Sequence, residues 1–184
     1  MWEIVPGIDF TAHELLRFNL QPVHCLYLAR CYNLIEWIPN LVRILLSIPL
    51  ERHDHGVETP LDIELYMLIA KAKESIALEQ CNVGNFPPFP KDFNNGPFCD
   101  QHNQCKKVWS EKWFFIISRK IHQISDPLSL SLIPVALEQI DHCGMNPKCR
   151  KSILDSLNED GAPQLQKEEQ LIQETINAVC LLFM

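Results

Sequence analysis

The sequence predicts an all-α protein, and three observations carry that prediction. Apolar residues recur with a period near 3.6 along most of the chain, and no window alternates with the period of 2 that marks a strand. Prolines stand where helices would begin, at Pro22, Pro39, Pro60, Pro134 and Pro147, because a first-turn residue has no use for its N–H. One stretch, 82–98, gathers four prolines and two glycines and interrupts the pattern. The expected architecture is an irregular bundle of about seven to eight short, proline-started helices with one long Pro/Phe-rich loop.

Taken in order, Trp2 to Phe10 reads as an extended entry. Thr11 and Glu14 have the spacing of a capping box and open a short helix to about Asn19. Pro22 starts the next helix, with Val23, Leu26, Tyr27 and Cys31 following the helical period. Pro39 starts a third, whose apolar face is Ile38, Leu41, Val42, Leu45 and Leu46. The polar stretch 51–58 holds His53 and His55; on an isolated loop such a pair reads as solvated rather than as a metal site. Thr59 and Pro60 open the longest helix, to about Gln80, lined by Leu61, Leu65, Leu68, Ile69, Ala72 and Ile76.

The loop 82–98 is longer than most helix connections, and its Phe86, Phe89, Phe93 and Phe98 are spaced to pin an irregular segment to a helical body. Lys106 to Ile124 is expected to be a helix burying Trp109, Trp113, Ile116, Ile117 and Ile121. Ser129 to His142 forms the next, with Gly144 as its C-terminal stop. Asn146-Pro147 repeats the cap-plus-proline device and starts a helix to about Leu157. Leu171, Ile172, Thr175, Ile176, Val179, Cys180 and Phe183 line a final helix. The division read from this pattern is an N-terminal helical subdomain 1–81, the loop 82–98 and a C-terminal helical subdomain 99–184.

Composition narrows the function classes. With 47% hydrophobic and 21% charged residues over 184 positions, the chain can bury a real core. A net charge of -7 and scattered lysines and arginines argue against a nucleic-acid surface. The most apolar run, Trp37 to Leu50, is broken by Pro39, Arg43 and Pro49 and falls short of the ~20 residues of a membrane-spanning helix. The first residues lack the basic start and apolar core of a secretion signal. The expected location is therefore intracellular, cytoplasmic or nuclear, where eight cysteines are thiols or metal ligands rather than disulfides. No nucleophile elbow, phosphate-binding glycine loop or His-Glu-x-x-His motif occurs, so the expectation is a non-enzyme. A thiol enzyme using Cys105 or Cys143 with His122 is a distant alternative.

Two groups of side chains stand out. Cys99, His102 and Cys105 are three residues apart, the spacing that lets soft ligands share a helix face or curl around an ion. Zinc takes about four such ligands, and Cys143 is the chosen fourth, with His142 and Cys149 as alternatives. This makes a structural zinc the one cofactor considered. Against it stands the plain reading that cysteine packs as a small hydrophobe, which is also the reading of Cys25, Cys31, Cys81 and Cys180. Phe86, Phe89, Phe93, Trp109 and Trp113 form the second group, a surface for a protein partner of unknown identity. The plain alternative is that these aromatics complete the core, a reading that fits the tryptophans better than the loop.

The run Leu26-Tyr-Leu-Ala-Arg-Cys-Tyr-Asn-Leu-Ile-Glu-Trp-Ile-Pro39, the long helix after it and the later Cys99-x2-His-x2-Cys-x3-Trp-x3-Trp resemble the helical region that follows the BTB/POZ domain in fungal BTB/POZ-domain proteins. The resemblance covers about Asp9 to Asn158. It implies a helical, non-catalytic interaction module. No mixed β/α BTB domain precedes the helices in this sequence, so a truncated relative or incomplete gene product is expected. The dimerisation and ubiquitin-ligase adaptor roles of BTB domains are not carried over.

Overall fold

The computed structural model describes residues 20–49, 62–89, 99–123, 126–141, 143–159 and 163–183. Among them there is no strand, so the all-α class predicted from the sequence is the class found. No helix among the described residues is long and apolar enough to cross a membrane. The short helix expected at 11–19, Thr59, His53 and His55, Phe93 and Phe98, and His142 lie outside the described residues.

The chain forms two compact units. The first takes the described residues up to Lys73 and those from Ile172 onward; the second is Glu74–Leu171. This differs from the expected division, because the end of the last helix belongs with the N-terminal residues. The reason is visible in the apolar pattern of that helix, whose Ile176 and Val179 complete the core formed by Leu26, Ile38, Leu45 and Ile69.

In the first unit, α1 (Pro22–Tyr32) ends at Asn33, whose φ of 56° is the left-handed conformation that asparagine tolerates at helix ends. A 3-10 turn at Ile35–Trp37 leads into α2 (Ile38–Ser47), with Pro39 in its first turn as expected. Cys25 is buried, but Cys31 is exposed and Cys180 only half-buried, so the cysteines are not uniformly core. The third helix, α3 (Ile63–Asn85), runs five residues beyond the expected end at Gln80 and takes Asn82 to Asn85 out of the loop. It presents Leu65, Ile69 and Ala72 to the core. From it, Lys73 donates to the carbonyls of Leu46 (2.6 Å) and Ile48 (2.5 Å), groups left without helical partners at the end of α2. Burial holds this ammonium below its ordinary pKa.

The second unit is built around one rod. It begins as α4 (His102–Lys112), widens to a π-helical segment at Trp113–Ser118 and closes with one α turn at Arg119–Ile121. The widening has a packing reason. Trp109, Trp113, Ile117 and Ile121 are all buried and stand four apart. In a pure α-helix each such step drifts by about 40°, so the fourth residue would leave the face; a stretch with about 4.4 residues per turn drifts the other way. The helix thus starts four residues earlier and stops three earlier than expected; of its expected core residues Trp109, Trp113, Ile117 and Ile121 are buried, while Ile116 is only half-buried. Phe114 and Phe115 point to solvent.

The expected helix Ser129–His142 is shorter. A 3-10 turn, Leu130–Leu132, leads into α5 (Ile133–Glu138), again with its proline in the first turn. Gly144, at φ 90°, shapes the later turn before α6 (Pro147–Glu159) instead of ending α5. The Asn146-Pro147 device is found as expected, with the Asn146 side chain accepting from the Lys148 amide at 2.9 Å. The last helix, α7 (Pro163–Phe183), contributes Glu168. This buried carboxylate accepts from the Leu130 amide (2.6 Å), the Ser129 hydroxyl (3.0 Å) and the Gln80 amide (2.9 Å). Glu168→Ala is expected to cost about 2–4 kcal/mol in a denaturant titration, because it removes the acceptor of three hydrogen bonds and leaves the buried Leu130 amide without this partner. Glu168→Gln should cost less, since it keeps one acceptor oxygen. Equal losses would show that charge, and not hydrogen bonding, is what the site needs.

Candidate metal centre

The turn that enters α4 and the first turn of α6 meet in the second unit. Cys99 precedes the helix, His102 is its first residue and Cys105 lies one turn on; Cys149 is the third residue of α6. The ligand atoms of Cys99, His102 and Cys149 all lie within 4.8 Å of one another. The Cys149 sulfur is 3.7 Å from His102 Nδ1, and the Cys105 sulfur is 3.8 Å from that of Cys99. Cys99, His102 and Cys149 form a group that could hold a metal ion, and Cys105 touches it through Cys99.

Two backbone amides point at the sulfurs. Gln101 N–H donates to Cys99 Sγ at 3.3 Å, and Asn146 N–H donates to Cys105 Sγ at 3.4 Å. Such donors stabilise negative sulfur and orient it, as outer-shell partners of thiolate ligands do. The Gln101 amide holds the Cys99 thiol below its ordinary pKa. At Cys149 the opposite holds: burial, then the neighbouring sulfurs of Cys99 and Cys105, push the thiol up to about 12. Three sulfurs crowded together repel each other's charge, a cost that a cation placed among them removes.

Of the expected ligands, Cys99 and His102 are in the group and Cys105 is in contact with it. Cys143 is not; it is exposed on the turn beside Gly144, and Cys149 takes its place. Cys149, an alternative fourth ligand in the sequence, is set in the first turn of α6 by the Asn146-Pro147 start, as His102 is set in the first turn of α4.

The expected interaction surface is only partly a surface. Trp109 and Trp113 are wholly buried, with ring centroids 6.0 Å apart, and belong to the core. Their indoles face backbone carbonyls: Trp109 donates to Pro88 (3.2 Å), and Trp113 to Val83 (3.1 Å) and Gly84 (3.2 Å). Phe89 is half-buried against the same core, with Lys106 Nζ 5.2 Å from its ring centroid. Phe86 alone of the described set is strongly exposed, at 70%. Cys81, expected in the core, is exposed as well. No protein-family model, curated protein or solved structure matches the chain.

Proposed function

We propose that the segment Glu74–Leu171 is a helical domain braced by a structural zinc ion held by Cys99, His102, Cys105 and Cys149. The observation that carries this reading is the spacing of the ligand atoms. A tetrahedral zinc bonded at about 2.3 Å to sulfur and about 2.1 Å to nitrogen separates its ligands by about 3.8 Å (S···S) and about 3.6 Å (S···N). The side chains stand 3.8 Å apart for Cys99 and Cys105 and 3.7 Å apart for Cys149 and His102. Three thiolates and one imidazole leave zinc with a net charge of about -1, which the two helix N-termini and the two sulfur-directed amides offset. Four protein ligands close the coordination sphere, so the ion braces the fold without an open position for substrate. Elemental analysis of the purified chain is expected to give one zinc per molecule. Absence of stoichiometric metal after expression in zinc-supplemented medium would end this reading.

The domain's role we read as non-enzymatic protein interaction, in keeping with the resemblance to the region after a BTB domain. The exposure of Phe86 at 70% and Phe115 at 69% favours it, since large aromatic side chains left in solvent are favoured anchors of interfaces. A partner captured by the wild-type chain and lost by Phe86→Ser or Phe115→Ser, at unchanged melting temperature, is the expected result. Equal capture by wild type and both variants would count against it.

A further inference from the structure

Within the candidate metal centre the four side chains are not equivalent. Cys105 and Cys149 are each 2% exposed and fixed within helices, whereas Cys99 is half-exposed and lies ahead of α4. A solvent-open cleft reaches the site, lined by Cys99, Gln104, Cys105, Gly144 and Asn146 among others, and Cys149 does not line it. A small molecule entering there reaches the half-exposed Cys99, whose sulfur stands 3.8 Å from that of the buried Cys105.

We propose that Cys99 and Cys105 form an oxidative modification site, at which hydrogen peroxide or a small organic hydroperoxide converts the two thiolates to a disulfide and releases the zinc. The inference rests on the structural-zinc reading. Cys99 Sγ attacks one peroxide oxygen and the O–O bond breaks, giving a sulfenic acid and one hydroxide (or alkoxide). Cys105 Sγ then attacks the Cys99 sulfur, the S–S bond forms and the second hydroxide leaves. Two thiolates supply two electrons, and the two departing oxyanions take two protons from solvent, ending as two waters (or water and an alcohol). The sulfurs must approach to about 2.05 Å, and the movement falls to Cys99, the one ligand sulfur not held in a helix. Zinc is left with His102 and Cys149, too few ligands to retain it.

The test uses the full zinc-loaded chain, titrated with hydrogen peroxide while a chromogenic chelator reports free zinc and peptide mapping reports disulfides. About one zinc is expected to be freed per peroxide consumed, together with a Cys99–Cys105 disulfide that a dithiol reductant and added zinc reverse. A variant carrying Cys31→Ser, Cys81→Ser and Cys143→Ser, which removes exposed thiols outside the site, should release zinc at an unchanged rate. Zinc retained while those exposed thiols oxidise, or a disulfide that uses Cys143 or Cys149, overturns the proposal and leaves the structural-zinc reading standing. A chain that carries no zinc before peroxide is added overturns both.

Discussion

On the structural-zinc reading, removing the metal is expected to lower the melting temperature of the chain by at least about 10 °C. Structural zinc contributes apparent binding free energies of about 10–16 kcal/mol in small zinc domains that have almost no core. Glu74–Leu171 has a core of its own around Trp109, Trp113 and Ile153, so part of its stability survives chelation. Even a loss of about 3 kcal/mol shifts the transition of a domain near 100 residues by about 12–24 °C. Cys149→Ser should reproduce the shift and abolish stoichiometric zinc, while Cys143→Ser should do neither. A chelated protein that melts unchanged would sink the structural role. The pH profile gives a second reading of the same site. In the metal-free protein the folded Cys149 thiol ionises at about 12, above its ordinary value of 9.0. Its folded pKa is raised, so its contribution is fully present below pH 9 and is lost as pH rises from about 9 toward 12, where the unfolded chain ionises first. With zinc bound the sulfur is already a thiolate, and that alkaline loss should disappear.

What could be read from the sequence, and what could not, follows from the range of the forces involved. The helices were legible because burial of Leu65, Ile69 and Ala72, or of Trp109, Trp113 and Ile117, imposes a local period. Proline-started first turns were legible because the constraint sits in the residue itself. Helix ends were not. Ile121 and Glu138 end helices with no glycine stop of the kind expected at Gly144, because nearby carbonyls are met by short turns or by the distant Arg150 side chain. Lys73 serves the end of α2, Glu168 serves the Leu130 amide and Trp113 serves the end of α3, at sequence separations of 25 to 38 residues for the bonds to Ile48, Leu130, Val83 and Gly84. The metal group was half legible for the same reason. The run Cys99, His102, Cys105 announces itself by spacing, whereas the choice of Cys149 over Cys143 depends on which side of the Gly144 turn faces α4.

Trp113 supplies the sharpest test of that tertiary capping, and Trp113→Ala is expected to cost about 3–5 kcal/mol, the range for emptying a fully buried tryptophan site. The loss has two parts. The ring fills the core beside Trp109, and its N–H reaches the carbonyls of Val83 and Gly84, which lie in the last turn of α3 and have no partner further along that helix. Gly84 lets the two segments approach: a Cβ there would lie 2.7 Å from His122 Nε2 and 3.3 Å from Ser118 Oγ. Trp113→Phe separates the parts, keeping most of the apolar volume and removing only the donor. Its expected cost is about 1–2 kcal/mol, the penalty for leaving buried carbonyl oxygens without a donor, plus a smaller term for lost volume. Amide exchange should localise the damage. Trp113→Phe should speed exchange in the last turns of α3, around Asn82 to Phe86, while the amides of α1 and α2 keep their protection. If the phenylalanine variant were as stable as wild type, the indole N–H would not be the cap of α3. In that case the hydrophobic volume alone would hold this end of the helix.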